Sequence, residues 1–270
     1  MQASWLVTFG IGGLAVVVAS LMVLLYSIAV ERLGGRRLIA RMQARSALLG
    51  WMTVFATLAE AGVLGRFDAK PPPLGLALLV ILAVSVALAL SKVGATFARG
   101  LPIAWLVLLQ SFRLPLEWVL HRAAQEGVMP VEMSYHGYNF DVLTGVTALI
   151  VGALALRGKA PRALLYAWNV LGSVLLAVIV TVAVLAAPMF HFFGEDPAHV
   201  NSWIARLPFI WLPAVLVATA LFGHIVIFRA LCASSSPAPA SSPPPSSPPV
   251  SAAPSPEPPP SPESPDPGSA

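Results

Sequence analysis

The chain has 270 residues, of which 57% are hydrophobic and 10% charged, against about 25% charged in an ordinary soluble domain. So large an apolar share excludes a single soluble core, and continuous apolar runs of about 18–25 residues exclude a β-barrel, whose strands alternate over roughly ten. The formal charge of +4 conceals a division: the last 37 residues carry Glu257, Glu263 and Asp266 and no base, leaving 16 basic residues against 9 acidic ones elsewhere. A basic excess beside apolar runs orients membrane spans and implies no nucleic-acid partner.

The first apolar run, Trp5 to Val30, has no basic residue before it and Arg32, Arg36, Arg37, Arg41 and Arg45 after it. A cleavable signal shows the reverse order, so a retained helix with its N-terminus outside is expected. Runs at about 46–65, 74–91, 103–121, 140–156, 163–187 and 209–231 bring the total to seven, and Asp141 is suited to cap the fifth. Threading these spans puts Arg32, Arg36, Arg37, Arg41, Arg45, Lys92, Arg99, Arg157, Lys159, Arg162 and Arg229 inside, and Arg66, Lys70, Arg122 and Arg206 outside. That bias follows the positive-inside pattern and leaves the C-terminus inside. Trp5, Trp105, Trp118 and Trp211 fall near the ends of the runs, where an amphipathic ring prefers the interface. Ala15 with Ala19, and Ala148 with Gly152, are small pairs four apart that let helices approach closely.

Two regions are expected: an all-α seven-transmembrane-helix bundle over 1–232 and a disordered cytoplasmic tail over 233–270. The tail is almost wholly Pro, Ser and Ala, holds 15 of the 26 prolines and cannot bury a core. Cys232 is the only cysteine, which rules out an intramolecular disulfide and leaves a free thiol beside the last span.

Charge appears inside the fourth run. In VLLQSFRLPLEWVLHR, Gln110, Arg113, Glu117 and His121 share one wedge of about 80° on a helix, at 100° per residue. An Arg at mid-bilayer costs on the order of 2.5–3.5 kcal/mol, so this stripe is expected to face the bundle interior and pair. Arg113 and Glu117 stand one turn apart, and Pro115 removes the bond to the Ser111 carbonyl, which should kink the segment. Glu60, in the second run, is the other intramembrane acid and is expected to reach Arg113 or His121. A structural ion-pair network and a polar cavity for a ligand or a proton are the competing readings of this stripe.

Two long outer loops hold His136, with Glu126, Glu132 and Asp141 nearby, and His191 and His199, with Glu195 and Asp196. Together with His121 these are candidate metal ligands; against that, no HExxH motif occurs. Asp196 followed by Pro197 reads as an N-cap and first turn, and Val200, Trp203, Ile204 and Leu207 form an apolar stripe that predicts a short interfacial helix. On the inner side Asn169 and His224 lie at similar depth in the sixth and seventh runs and are expected to hydrogen-bond, with a haem ligand as the alternative role for His224.

No P-loop, GxSxG, CxxC or dinucleotide fingerprint is present. The runs GVMPVEMSYHGYNFDVLTGVTALIVG, YAWNVLGSVLLAVIV and FIWLPAVLVATALFGHI, with FRLPLEWVLHR, resemble a family of uncharacterised bacterial multi-span membrane proteins that has no assigned activity. The resemblance covers about residues 103–231 and implies an intact bacterial inner-membrane domain; it also implies acidic residues at the position of His136, against a histidine metal site there.

The sequence thus predicts a multi-pass inner-membrane protein, leaning non-enzymatic and without a cofactor. Glu60, Gln110, Arg113, Glu117 and His121 would bind a small polar or anionic ligand or pass protons in transport or sensing. One alternative is a metal- or haem-dependent enzyme or assembly factor using His121, His136, His191, His199, Glu195 and Asp196. The other is a structural subunit of a membrane complex or a homo-oligomer.

Overall fold

The computed structural model describes residues 3–233. They are helical, with no strand among them. The tail expected at 233–270 lies outside the described residues except for Ala233, which ends the last helix.

Among the described residues nine α-helices follow in order: α1 (Trp5–Arg32), α2 (Arg37–Glu60), α3 (Pro73–Leu90), α4 (Lys92–Gly100), α5 (Ile103–Leu109), α6 (Arg113–Gln125), α7 (Asp141–Leu156), α8 (Arg162–Leu185) and α9 (Ala218–Ala233). A single 3-10 turn, Gln110–Phe112, joins α5 to α6, and a π-helical turn, Leu212–Val217, leads into α9. Among the described residues five stretches are long and apolar enough to cross a membrane: α1, α3, Ile103–Gln125, α8 and Leu212–Ala233.

The other two expected spans depart from that description for different reasons. The second reaches back to Arg37, so Arg37, Arg41 and Arg45 dilute its apolar face. It stops at Glu60, before the left-handed Gly62 at φ 69°, instead of running on to 65. The fifth, α7, has 16 residues and spans about 24 Å, short of a hydrocarbon core of about 30 Å. A further helix, α4, occupies what the sequence presents as an inner loop. Ser91 caps it, its hydroxyl accepting from the Val93 N–H at 3.0 Å.

Helix α9 packs against α3, α4, α5 and α8, while α1 packs against α2, α4 and α6, and α7 lies on α5 and α6. The expected small pairs are at close approaches: Ala15 and Ala148 are fully buried, and a Cβ on Gly152 would stand 2.6 Å from the Leu108 side chain. The apolar interior forms two clusters, one around Ile11, Leu116, Met129 and Ile210, the other around Phe97, Leu106, Trp168 and Ile227. Gln110 falls in the chain between Val107 of the second cluster and Phe112 of the first.

The loop 186–211 does not form the expected surface helix. It makes two short 3-10 turns, Pro197–His199 and Trp203–Ala205, because Trp203, Ile204 and Ala205 turn down into the larger cluster instead of lying along an interface. Asp196 does cap the first turn, accepting from the Ala198 N–H at 2.9 Å. Of the expected interfacial tryptophans, Trp5 and Trp118 are exposed, whereas Trp211 is drawn inward to donate to the Met52 carbonyl at 3.2 Å.

Glu126 clamps the start of α1 by accepting from the Ser4 N–H at 2.9 Å and from Arg122 Nε at 3.0 Å. Partial burial pushes its carboxyl up, but the Ser4 and Arg122 contacts outweigh it, so the group titrates below its ordinary value. A depressed carboxylate contributes stability above its unfolded value that is lost as pH falls through the folded one. The first turn of α1 is therefore expected to lose hydrogen-exchange protection, taken relative to the intrinsic rate at each pH, as pH falls. Glu126→Gln should show the low protection already at neutral pH; equal protection in the two proteins at neutral pH would contradict the clamp.

Candidate functional site

The break at Gln110–Phe112 sits where Pro115 denies the Ser111 carbonyl its helical partner, and α6 restarts at Arg113. This places Gln110, Arg113 and Glu117 inward at 0%, 1% and 2% exposure, as the stripe predicts. His121, one turn further, is at the rim. Its ring stacks on Tyr135 at 4.3 Å and meets His136 at 4.8 Å, and its Nε2 lies 2.9 Å from the Gln125 amide nitrogen.

Arg113 does not pair with Glu60. Glu60 is exposed at the end of α2, and the ion-pair partner of Arg113 is Asp141, at the first turn of α7. Glu60 lies on the exposed face of α2 with Thr53 and Thr57, while Met52, Phe55 and Ala59 form the buried face. Nor does Arg113 bridge to Glu117: Asn139 Nδ2 donates to both Glu117 carboxylate oxygens, at 2.8 and 2.9 Å, and lies 3.1 Å from the Met133 carbonyl. Asn139 Oδ1 accepts from the Asp141 N–H at 3.1 Å, and Thr144 Oγ1 donates to Asp141 Oδ1 at 3.3 Å. The positive end of the α7 dipole supports the Asp141 carboxylate.

The expected pair Asn169 and His224 is present and joins the same network. Arg113 Nη2 lies 3.2 Å from His224 Nε2; a guanidinium only donates, so Nε2 accepts and the ring proton sits on Nδ1. Nδ1 then donates to Asn169 Oδ1 at 2.8 Å, and Asn169 Nδ2 donates to the His224 carbonyl at 3.0 Å. Both ring nitrogens of His224 are thus engaged in the network. One polar chain, Glu117, Asn139, Asp141, Arg113, His224, Asn169, ties α6, the 126–140 loop, α7, α9 and α8 together. Arg113 Nε and both amide atoms of Gln110 are buried without a hydrogen-bond partner among the described residues. Gly172 makes room for the His224 ring, since a Cβ there would come within 2.6 Å of Cε1.

The network holds two carboxylates against one guanidinium. Its surplus acid faces a cavity of about 110 Å³ whose walls are aliphatic, among them Leu74, Ile81, Leu116, Leu176 and Leu216, and whose polar border is Arg113, Glu117, Asn139 and Asp141. Glu60, Gln110 and His121 do not line it.

The loop histidines and acids are dispersed. His199 Nδ1 lies 2.6 Å from Glu132 Oε1 and ties the two long loops together, while His191, Glu195 and Asp196 are exposed. Among the described residues no three His, Cys, Asp or Glu side chains are grouped to hold a metal ion. Asn139 and Asp141 are the residues that sequence reasoning missed: Asp141 reads as a helix cap, and nothing in the local pattern shows that the 126–140 segment folds back to put Asn139 on Glu117. No protein-family model, curated protein or solved structure matches this chain.

Proposed function

We propose that this protein is a bacterial inner-membrane protein of seven spans, N-terminus outside and C-terminus inside, which binds a proton or a small cation at Glu117 in transport or sensing. One observation carries this reading. The buried network has one more carboxylate than it has cations, and that carboxylate, Glu117, borders a cavity and is held by the Asn139 amide with no cation paired to it. A buried charge without a counter-charge is strongly disfavoured, so the surplus is relieved by a proton or a cation entering from the cavity. Arg113, expected from the sequence to meet an anionic ligand, is already occupied by Asp141 and His224, which moves the ligand's charge from negative to positive.

The roles follow from position. Glu117 is the acceptor, Asn139 holds its two oxygens in place, and the Arg113–Asp141 pair fixes α6 against α7. His224 and Asn169 extend the polar path toward the basic end of the bundle, so a proton relay and an enclosed binding site share this geometry. The test is infrared difference spectroscopy of the protein in lipid nanodiscs through a pH titration. The carbonyl-stretch band of a protonated carboxylic acid should titrate in the wild type and vanish in Glu117→Gln. A band that persists unchanged in that variant would assign the proton elsewhere and overturn the reading.

A further inference from the structure

We propose that the groove between α3 and α8 binds a single-chain amphiphile with a cationic amine head, the head at Glu117 and the hydrocarbon chain lying along α9. This rests on the reading of Glu117 as the acceptor of positive charge and adds the class of molecule that brings it.

The groove follows from the packing. Helices α3 and α8 both lie on α9, and two cavities follow one another in the space between them, sharing Leu176, Val180 and Val217 as walls. The first, of about 110 Å³, ends at Glu117 and Asn139; the second, of about 370 Å³, continues past Leu82, Ser173, Leu221 and Phe228. On α8 the lining residues Ser173, Leu176, Ala177, Val180, Ala183 and Val184 recur three or four apart, which puts them on one face. With Ala187 the lined face covers about 21 Å at 1.5 Å per residue, longer than half of a hydrocarbon core of about 30 Å. A whole alkyl chain therefore fits with its head drawn inside the protein. Alanines along this face and Gly75 on the facing helix leave the groove open where larger side chains would close it.

The head is chosen by charge and by hydrogen bonding. Glu117 receives only the Asn139 amide, and its two oxygens keep acceptor capacity toward the cavity. A carboxylate head would set a third acid beside Glu117 and Asp141, a like-charge arrangement that costs several kcal/mol. An ammonium head makes the balance two against two and donates to Glu117.

The test uses dodecylamine, dodecanol and dodecanoate with the full chain in nanodiscs, reading saturable shifts in melting temperature. Dodecylamine should bind wild type at least about tenfold tighter than dodecanoate. Glu117→Gln should abolish that preference, and Ala183→Trp, which fills the first cavity, should abolish saturable binding. Ala177→Phe fills the second cavity and should do the same, so a failure of either filling variant to fold leaves the other to decide. Equal shifts from all three probes, unchanged by the filling variants, would mean mere partition into lipid and overturn the proposal. A wild type that binds no probe while its Glu117 carboxyl band still titrates would also overturn it, leaving the proton reading intact; so would a dimer whose groove is closed by a second copy's helix.

Discussion

Arg113→Met is expected to lower the stability of the folded bundle by about 3–5 kcal/mol, the cost of breaking a buried ion pair by removing one partner. Three contacts are lost together: the ion pair to Asp141, the hydrogen bond to His224 Nε2 and the positive charge near Glu117. Without the guanidinium, two carboxylates share a buried site with no cation, and His224 loses the donor that sets its tautomer. Replacing both members of the pair by apolar residues removes the uncompensated charge, so Arg113→Met with Asp141→Leu should recover most of the loss. Exchanging Arg113 with Asp141 should recover part of it, whereas exchanging Arg113 with Glu60 should recover nothing, because Glu60 is exposed at the end of α2. Reversible unfolding in mixed micelles measures each step. A double variant no better than Arg113→Met alone would show that the cost lies in packing, not charge.

The second large effect is expected at Gly100, the last residue of α4. A Cβ there would stand 2.6 Å from the Ala29 carbonyl oxygen and 2.8 Å from the Ala29 Cα, both backbone atoms of α1 that no rotamer change can move. Close approach through a small residue is how helices gain packing in lipid, where water does not drive them together. Gly100→Ala should therefore cost about 1–3 kcal/mol, the usual range for overpacking, and Gly100→Val more. Because two of the three nearest atoms belong to the backbone, Ala29→Gly should not rescue the variant. Full rescue, read from the same unfolding curves, would show that the α1 backbone is free to yield. Gly223 is a useful contrast: a Cβ there would come within 1.9 Å of Gln110 Nε2, the movable end of a side chain, so relaxation is available at Gly223 and not at Gly100.

The helical class and the inward stripe were legible before any coordinates. Apolar runs of membrane length are a property of consecutive residues, and the wedge occupied by Gln110, Arg113 and Glu117 needs only the helical period. Pro115 marks a break for an equally local reason. His121 continues the wedge yet lies half-buried at the rim against Tyr135 and His136, because periodicity gives a face of the helix and not the neighbours that cover it. Glu60 was legible as an intramembrane acid but not as an outward one: it shares the exposed face of α2 with Thr53 and Thr57, and the face that packs carries Met52, Phe55 and Ala59.

The helical class, the inward facing of Arg113 and Glu117, and the pairing of Asn169 with His224 across two helices follow from the sequence alone. Which charge meets which follows from the packing of the helices. Arg113 has Glu117 one turn away and Glu60 on another helix, yet it takes Asp141, because the start of α7 is brought beside it and the 126–140 segment carries Asn139 onto Glu117. Pairing in a low-dielectric interior is settled by distances of a few ångströms. Those distances depend on how separate helices and a returning loop pack, which no stretch of consecutive residues encodes.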